Sequence, residues 1–227
     1  MTDSESEPKR LDSKGIRREP LQQRSQASLD RLLDVTEELL RERRFESILV
    51  ADIVRRAKSS VGVFYSRFQD KADVLFALVD RENSKSTDTV DQFVASIDQL
   101  DDIPLDRILQ RGIEILVNQY RARRHVLAPI IGLNLSQPDR YAFHNPVKER
   151  LQQVAQHLAS LRGNEVDHPD PASAVRVVLG LITGFLEHLV IFDKAGYCGL
   201  RLDDPRVEEE MYLVAKRYLG LKEMSSG

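Results

Sequence analysis

Apolar residues in this chain recur at intervals of three and four rather than two, from about residue 25 almost to its end. That spacing gathers side chains onto one stripe of an α-helix, where strict alternation would mark strands. Leu29, Leu32, Leu33, Thr36, Leu39 and Leu40 form the first stripe. "RERRF" ends it, with basic residues where the helix dipole is negative. A short helix "VADIVRRA" follows, with Val50, Ile53, Val54 and Ala57 inward. "KSS" interrupts, and Ser59 or Ser60 can cap a third helix, "VGVFYSRF". Asp70 caps a fourth, which opens "KADVLFALVDREN" and continues past Ser84.

Beyond Leu100 the same periodicity predicts helices over about 105–124, 126–136, 146–161, 172–194 and 205–219. The breaks fall at Pro104, "SQPDR", "RGN", "EVDHPDP" and "AGYCGLRLDDP". The fold class is all-α with about nine helices, and it contains no internal repeat and no glycine-rich phosphate loop. Residues 1–20 read as a flexible charged arm, 21–71 as a three-helix helix-turn-helix domain, and 72–227 as a larger helical domain.

Composition narrows this picture. Of the 227 residues 41% are hydrophobic and 30% charged, with no Trp, which suits a soluble helical protein. The single cysteine, Cys198, excludes an intrachain disulfide framework and fits a reducing cytoplasm. The N-terminal "MTDSESEPKR" has no apolar h-region, and the expected location is cytoplasmic. The most apolar run, 172–192, is interrupted by Arg176, Glu187 and His188, so it reads as a buried helix and no membrane partner is expected. The net charge of −3 is unevenly spread. Residues 1–71 hold 15 basic and 13 acidic groups, the remainder 18 and 23, and "KRLDSKGIRREPLQQR" alone has six basic and two acidic. A DNA-binding front end on an acidic body, or a solvated tail, would look like this.

Two short helices joined by a three-residue break after a longer one make a helix-turn-helix. Val61, Phe64 and Phe68, at i, i+3 and i+7, are expected to pack on Ile53 and Ala57. Gly62, Val63, Tyr65, Ser66 and Arg67 then fall on other sides, and the helix would enter the major groove with Ser60 and Val61 at its N-terminal end. Gly62 permits close approach, Val63 can touch a thymine methyl, and Arg67 can reach a guanine edge or a phosphate. Tyr65 and Lys71 offer donors to phosphate oxygens. Arg17, Arg18 and Arg24 could follow the backbone or enter a minor groove.

These residues resemble the DNA-binding domain of TetR-family transcriptional regulators. Phe45 matches the family's aromatic after the first helix, and Val50, Ile53 and Ala57 match its second helix. Ser60 matches the recognition-helix cap, and "FYSRFQDKADVL" matches the signature through Phe64, Tyr65, Phe68, Lys71 and Val74. The resemblance implies phosphate contacts from Tyr65 and Lys71, and a groove face made by Gly62, Val63, Ser66 and Arg67. Three positions depart from the pattern. Leu49 replaces the Thr or Ser that caps the second helix, leaving Ser47 as a substitute cap. Arg44 and Lys58 replace glycines, at positions that favour positive φ and cost other residues of order 1 kcal/mol.

A helix-turn-helix covers half a palindrome, so a homodimer on double-stranded DNA is expected. "AVRVVLGLITGFLEHLVIF" is apolar nearly all round, and Gly180 and Gly184 allow a neighbouring helix close. The resemblance implies an interface built from this helix and the last one, through Leu179, Gly180, Ile182, Gly184, Phe185, Val207, Met211 and Val214. It also implies a pocket for a largely apolar small-molecule effector, with Leu116, Tyr120, His125, Ile130, Asn134, Tyr141, Phe143 and His144 as candidate lining. Repression relieved by the effector is the commoner role in such proteins.

Other classes fit less well. The five histidines are scattered. "EVDH" has the E-x-x-H spacing of di-iron bundles but sits in a Pro-flanked loop without a second copy. No G-x-S-x-G elbow occurs. No catalytic residue, metal or cofactor is expected. The alternative is a helical small-molecule or lipid-binding protein, or a helical enzyme, that has lost DNA binding.

Overall fold

The computed structural model describes residues 21–99, 103–136, 146–192 and 197–221. They are all-α, with eight helices: α1 Leu21–Glu42, α2 Val50–Arg56, α3 Val61–Tyr65, α4 Lys71–Asp98, α5 Leu105–Ser136, α6 Pro146–Arg162, α7 Pro171–Phe192 and α8 Arg206–Tyr218. Two compact units divide between Val74 and Leu75, a few residues into α4, where the sequence pattern places the break after Lys71.

The first unit is built on the predicted stripe. Leu32, Leu33, Leu39 and Leu40 of α1 are buried, as are Ile53 and Val54 of α2, and Phe45, Ile48, Ala57, Phe64 and Phe68 complete the core. Thr36 fits among them because its hydroxyl donates to the Leu32 carbonyl at 2.7 Å, leaving no unmade hydrogen bond. Asp70 starts α4 as expected: its carboxylate accepts from the Ala72 and Asp73 N–H groups at 2.7 and 3.2 Å. Asp73 reciprocates by accepting from Gln69 and Asp70, which is a capping box.

In the second unit α7 packs against α5, α6 and α8. Its Val178, Ile182, Leu186 and Leu189 meet Ile113, Leu116 and Val117 of α5, Val154 and Leu158 of α6, and Val207 and Met211 of α8 in one continuous core. Length and hydropathy alone would let α7 cross a bilayer. Eight of its residues are instead buried inside the unit.

Three expectations change. The segment 105–136 is one helix, not two, which brings about nine helices down to eight. The arginines of "RARRH", at the expected end of the first of these two helices, have tertiary partners. Arg121 pairs with Glu208 and donates to the Leu202 and Asp204 carbonyls at 2.8 and 2.9 Å. Arg123 donates to Ser86 and Asn83, and Arg124 pairs with Asp203. These ties and the burial of Val126, Leu127 and Ile130 carry the helix through Pro129, which has no N–H for the His125 carbonyl. Second, α3 ends at Tyr65, so Phe68 joins the core from the following turn, while Val61 faces outward. At the first position of so short a helix there is no preceding turn to cover it. Third, Arg44 is extended (φ −66°, ψ 145°) rather than left-handed. Lys58 does adopt positive φ, at 50°.

Glu165 of the "EVDH" run caps α5, accepting from the Leu105 N–H at 2.8 Å. The Asp167 N–H donates to the Leu219 carbonyl at 2.9 Å. Gly220, at φ +63°, permits this approach, since a Cβ there would lie 2.6 Å from that of Asp167.

Candidate functional site

The helix-turn-helix is held by its own side chains. The Ser60 hydroxyl accepts from the Val63 N–H at 3.2 Å, capping α3. Ser66 closes its other end by donating to the Val63 carbonyl at 2.9 Å. The turn before α3 is fixed by Ser59 N–H donating to the Val54 carbonyl at 2.8 Å, with Lys58 left-handed between them. Phe64 is fully buried, with the Tyr65 ring edge-on at 5.4 Å and Phe68 at 5.2 Å.

Four large apolar side chains remain exposed in this unit: Leu49 (62%), Val61 (50%), Val63 (37%) and Tyr65 (53%). All sit at the start of α2 or on α3, and among the described residues of the unit no other large apolar side chain is so exposed. Gly62 and Ser66 are exposed beside them.

Arg67 and Lys71 have other partners than the expected bases and phosphates. Arg67 is half-buried, and its guanidinium donates at 3.0 Å to both the carbonyl and the hydroxyl of Ser25 on α1. The Lys71 ammonium donates to the carbonyls of Phe45 (2.8 Å) and Ile48 (2.9 Å), with Glu46 at 3.4 Å. Burial pushes the Lys71 pKa down, partly offset by the Glu46 carboxylate. Both cations hold the segments around α3 in place. Their sequence positions alone could not show this, because the acceptors lie more than twenty residues away.

Exposed positive charge is found on and beside α2. Asp52 is the centre of one cluster: it accepts from the Leu49 N–H at 3.3 Å and from Arg43 and Arg55, each at 2.7 Å. The Leu49 hydrogen bond first, and then Arg43 and Arg55, hold its carboxyl below the usual range. Asp52 therefore supplies the cap that Leu49 cannot, from the third helical position. Ser47 does not act as the substitute cap, since its hydroxyl donates to the Arg44 carbonyl. The acid three residues after Leu49 was the sequence signal for this arrangement. Arg55 and Arg44 stay largely in solvent, with Lys58 exposed at the turn. Arg56 is neutralised by Glu38 and Glu42 at 3.2 and 2.7 Å. Arg17, Arg18 and the side chain of Arg24 lie outside the described residues.

In the second unit Leu116, Tyr120, Ile130 and Asn134 line one cavity of about 260 Å³, together with Asn83, Arg123, Leu127 and Leu151. Glu187 and Lys148 also line it, and pair with each other at 2.8 Å. Burial and the Glu187 charge push the Tyr120 hydroxyl well above its ordinary pKa, against the opposing pull of Arg123. His125 is half-buried and is not part of this lining. Tyr141, Phe143 and His144 lie outside the described residues.

The expected interface residues separate by burial. Gly180, Gly184 and Val214 are exposed, and Leu179 and Phe185 half-buried. Ile182, Val207 and Met211 are buried in the unit's own core and so do not present an outer surface. A helix apolar on every side does not reveal which side the core takes. The side left outside adds Val177, Leu181 and Ile191 of α7 and Tyr218 of α8.

Residues 32–78 match the family model of bacterial regulatory proteins, tetR family. That match includes all of α2 and α3 and bears out the resemblance carried by Phe45, Tyr65 and Lys71. No curated protein matches the chain. Solved structures are similar over nearly the whole length. A transcriptional regulator from Cytophaga hutchinsonii is 11% identical, covering 85% of this chain and 94% of that one, with a TM-score of 0.60. A TetR-family transcriptional regulator from Pseudomonas syringae pv. tomato is 14% identical (84% and 94% covered, TM-score 0.59). One from Streptomyces coelicolor is 21% identical (86% and 97% covered, TM-score 0.54). At these identities the likeness is one of fold, and it extends to the helical body.

Proposed function

We propose that this chain is a sequence-specific DNA-binding transcriptional regulator that acts in the cytoplasm as a homodimer on a palindromic operator, and that it is a repressor released by a small molecule. One observation carries the DNA-binding part. Among its described residues, a small, well-packed unit leaves large apolar side chains exposed only at Leu49, Val61, Val63 and Tyr65, around the element that would enter a major groove. Exposed apolar groups beside base edges discriminate thymine methyls, and Tyr65 has a hydroxyl to place on a phosphate.

Dimerisation would use the exposed side of α7 and α8, where Gly180, Leu181, Gly184, Val214 and Tyr218 leave apolar surface in water. The effector would occupy the cavity lined by Tyr120 and Arg123. It would act by preferring a body conformation whose two recognition helices do not match adjacent major grooves about 34 Å apart. A shift from 1:99 to 99:1 takes roughly 5.5 kcal/mol of differential binding.

The test is selection of bound fragments from random genomic DNA across a salt series, with wild type beside Val63→Ala/Tyr65→Ala. Enrichment of a palindrome by wild type, lost in the variant and weakening steeply with salt, is the expected result. Absence of any enriched sequence at every salt concentration would overturn the reading.

A further inference from the structure

The cavity of the second unit contains a cation without an acidic hydrogen-bond partner. Arg123 is buried, at 9% exposure, and its two terminal nitrogens donate to neutral oxygens: Ser86 Oγ and Asn83 Oδ1, both at 2.7 Å. Its Nε–H and the Nδ2 group of Asn83, itself 2% exposed, are buried donors with no acceptor in the protein. Arg123 and Asn83 both line the cavity, as does Tyr120. Three residues with hydrogen-bond donors therefore line one cavity, and one of them carries a charge.

A buried guanidinium with neutral partners is costly unless an anion completes it. Desolvation pushes the Arg123 pKa down, and the Glu82 charge and Tyr120 only partly oppose it. Glu82 is itself paired with Lys85 at 2.6 Å. The other charged groups of the lining, Lys148 and Glu187, cancel each other, so Arg123 leaves the cavity net positive. The remaining walls are largely apolar. Leu116 and Leu151 are shared with an adjoining, almost wholly apolar cavity of about 60 Å³ between α5, α6 and α7.

We infer that this cavity binds a small organic acid, with its carboxylate on the Arg123 guanidinium and the Asn83 amide and its apolar part against Leu116 and Leu151. The inference rests on the reading of this cavity as the effector site and names the ligand class. A planar carboxylate suits the guanidinium fork, with two oxygens accepting parallel N–H groups. About 260 Å³ is just below the roughly 300–1,000 Å³ of drug-sized sites, so the acid is compact. An ammonium would meet Arg123 with like charge, and a neutral amide would leave that charge uncompensated.

The experiment is calorimetric titration of the full chain with butyrate, octanoate and benzoate, each beside its amide and its amine. At least one acid is expected to bind tenfold or more tighter than its own amide, with no binding of the amines. Asn83→Asp supplies a carboxylate to Arg123 from within, so it should lose at least tenfold in acid binding with its melting temperature unchanged or raised. Arg123→Met should lose the preference for acid over amide. Equal binding of acid and amide, no binding by any of the acids, or wild-type acid binding by Asn83→Asp would overturn the inference. Release of operator DNA by the bound acid is a separate readout. It bears on the regulatory reading, while the anion site stands or falls on the titration.

Discussion

The ammonium of Lys71 lies 4.3 Å from the centre of the Phe45 ring and donates to that residue's carbonyl at 2.8 Å. One side chain thus binds the loop between α1 and α2 to the start of α4, through hydrogen bonds and a cation–π contact. Lys71→Met is expected to destabilise the protein by about 1–3 kcal/mol, as carbonyls lose a charged donor. It should leave the salt dependence of DNA binding unchanged. Chemical denaturation and a salt series on the same variant check both halves.

The exposed cations flanking α2 should behave in the opposite way. Arg55→Ala and Arg44→Ala are expected to change stability little, because exposed ion pairs contribute roughly 0–1 kcal/mol. Each phosphate that a variant no longer neutralises should reduce the slope of log K against log salt by about 0.9. Fluorescence anisotropy on a labelled operator at four or five salt concentrations measures it.

Lys58 holds a left-handed conformation, φ 50°, in the turn between α2 and α3. The strain is roughly 1–2 kcal/mol for a residue with a Cβ, against roughly 0.5–1 kcal/mol of extra chain entropy for glycine. Lys58→Gly should therefore stabilise the protein by about 0.5–1 kcal/mol in a thermal melt. The same change removes a positive charge and should weaken DNA binding.

Asp204 contributes to the pH response of the second unit. Its carboxylate accepts from the Arg206 side chain and N–H at the start of α8, which lowers its pKa to about 2. The unfolded value is about 3.9. A depressed carboxylate stabilises above the unfolded value and loses that contribution as pH falls through the folded one. Asp204→Asn should be less stable than wild type at pH 7, and the two should converge between about pH 4 and pH 2. Melting curves across that range check the window.

Much of the fold was legible because local rules decide it. The stripe from Leu29 to Leu40, the Ser60 cap and the Asp70 cap depend on residues three or four positions apart. The exposed side of α3 was legible in part: Val63, Tyr65 and Gly62 are exposed where periodicity puts them. The intramolecular bonds of Arg67 and Lys71 were not legible, because their acceptors, Ser25 and Phe45, are remote in sequence and belong to other elements. The partners of Arg121, Arg123 and Arg124, which are Glu208, Ser86 and Asp203, were hidden for the same reason. For α7, apolar on every side, only packing tells Ile182 inside from Leu181 outside.

The helix α3, which the proposed function places in the groove, is five residues long, Val61–Tyr65. At 1.5 Å per residue it spans about 7.5 Å, or roughly two base-pair steps of 3.4 Å. Because the major groove distinguishes four base pairs, two steps carry about four bits of information and the two halves of a palindrome about eight. Singling out one site among roughly a million takes about twenty bits. On the proposed function, contacts from α3 alone would leave the shortfall to the mechanics of the double helix. An operator for such a reader would be recognised less by its letters than by how readily its uncontacted steps bend and narrow.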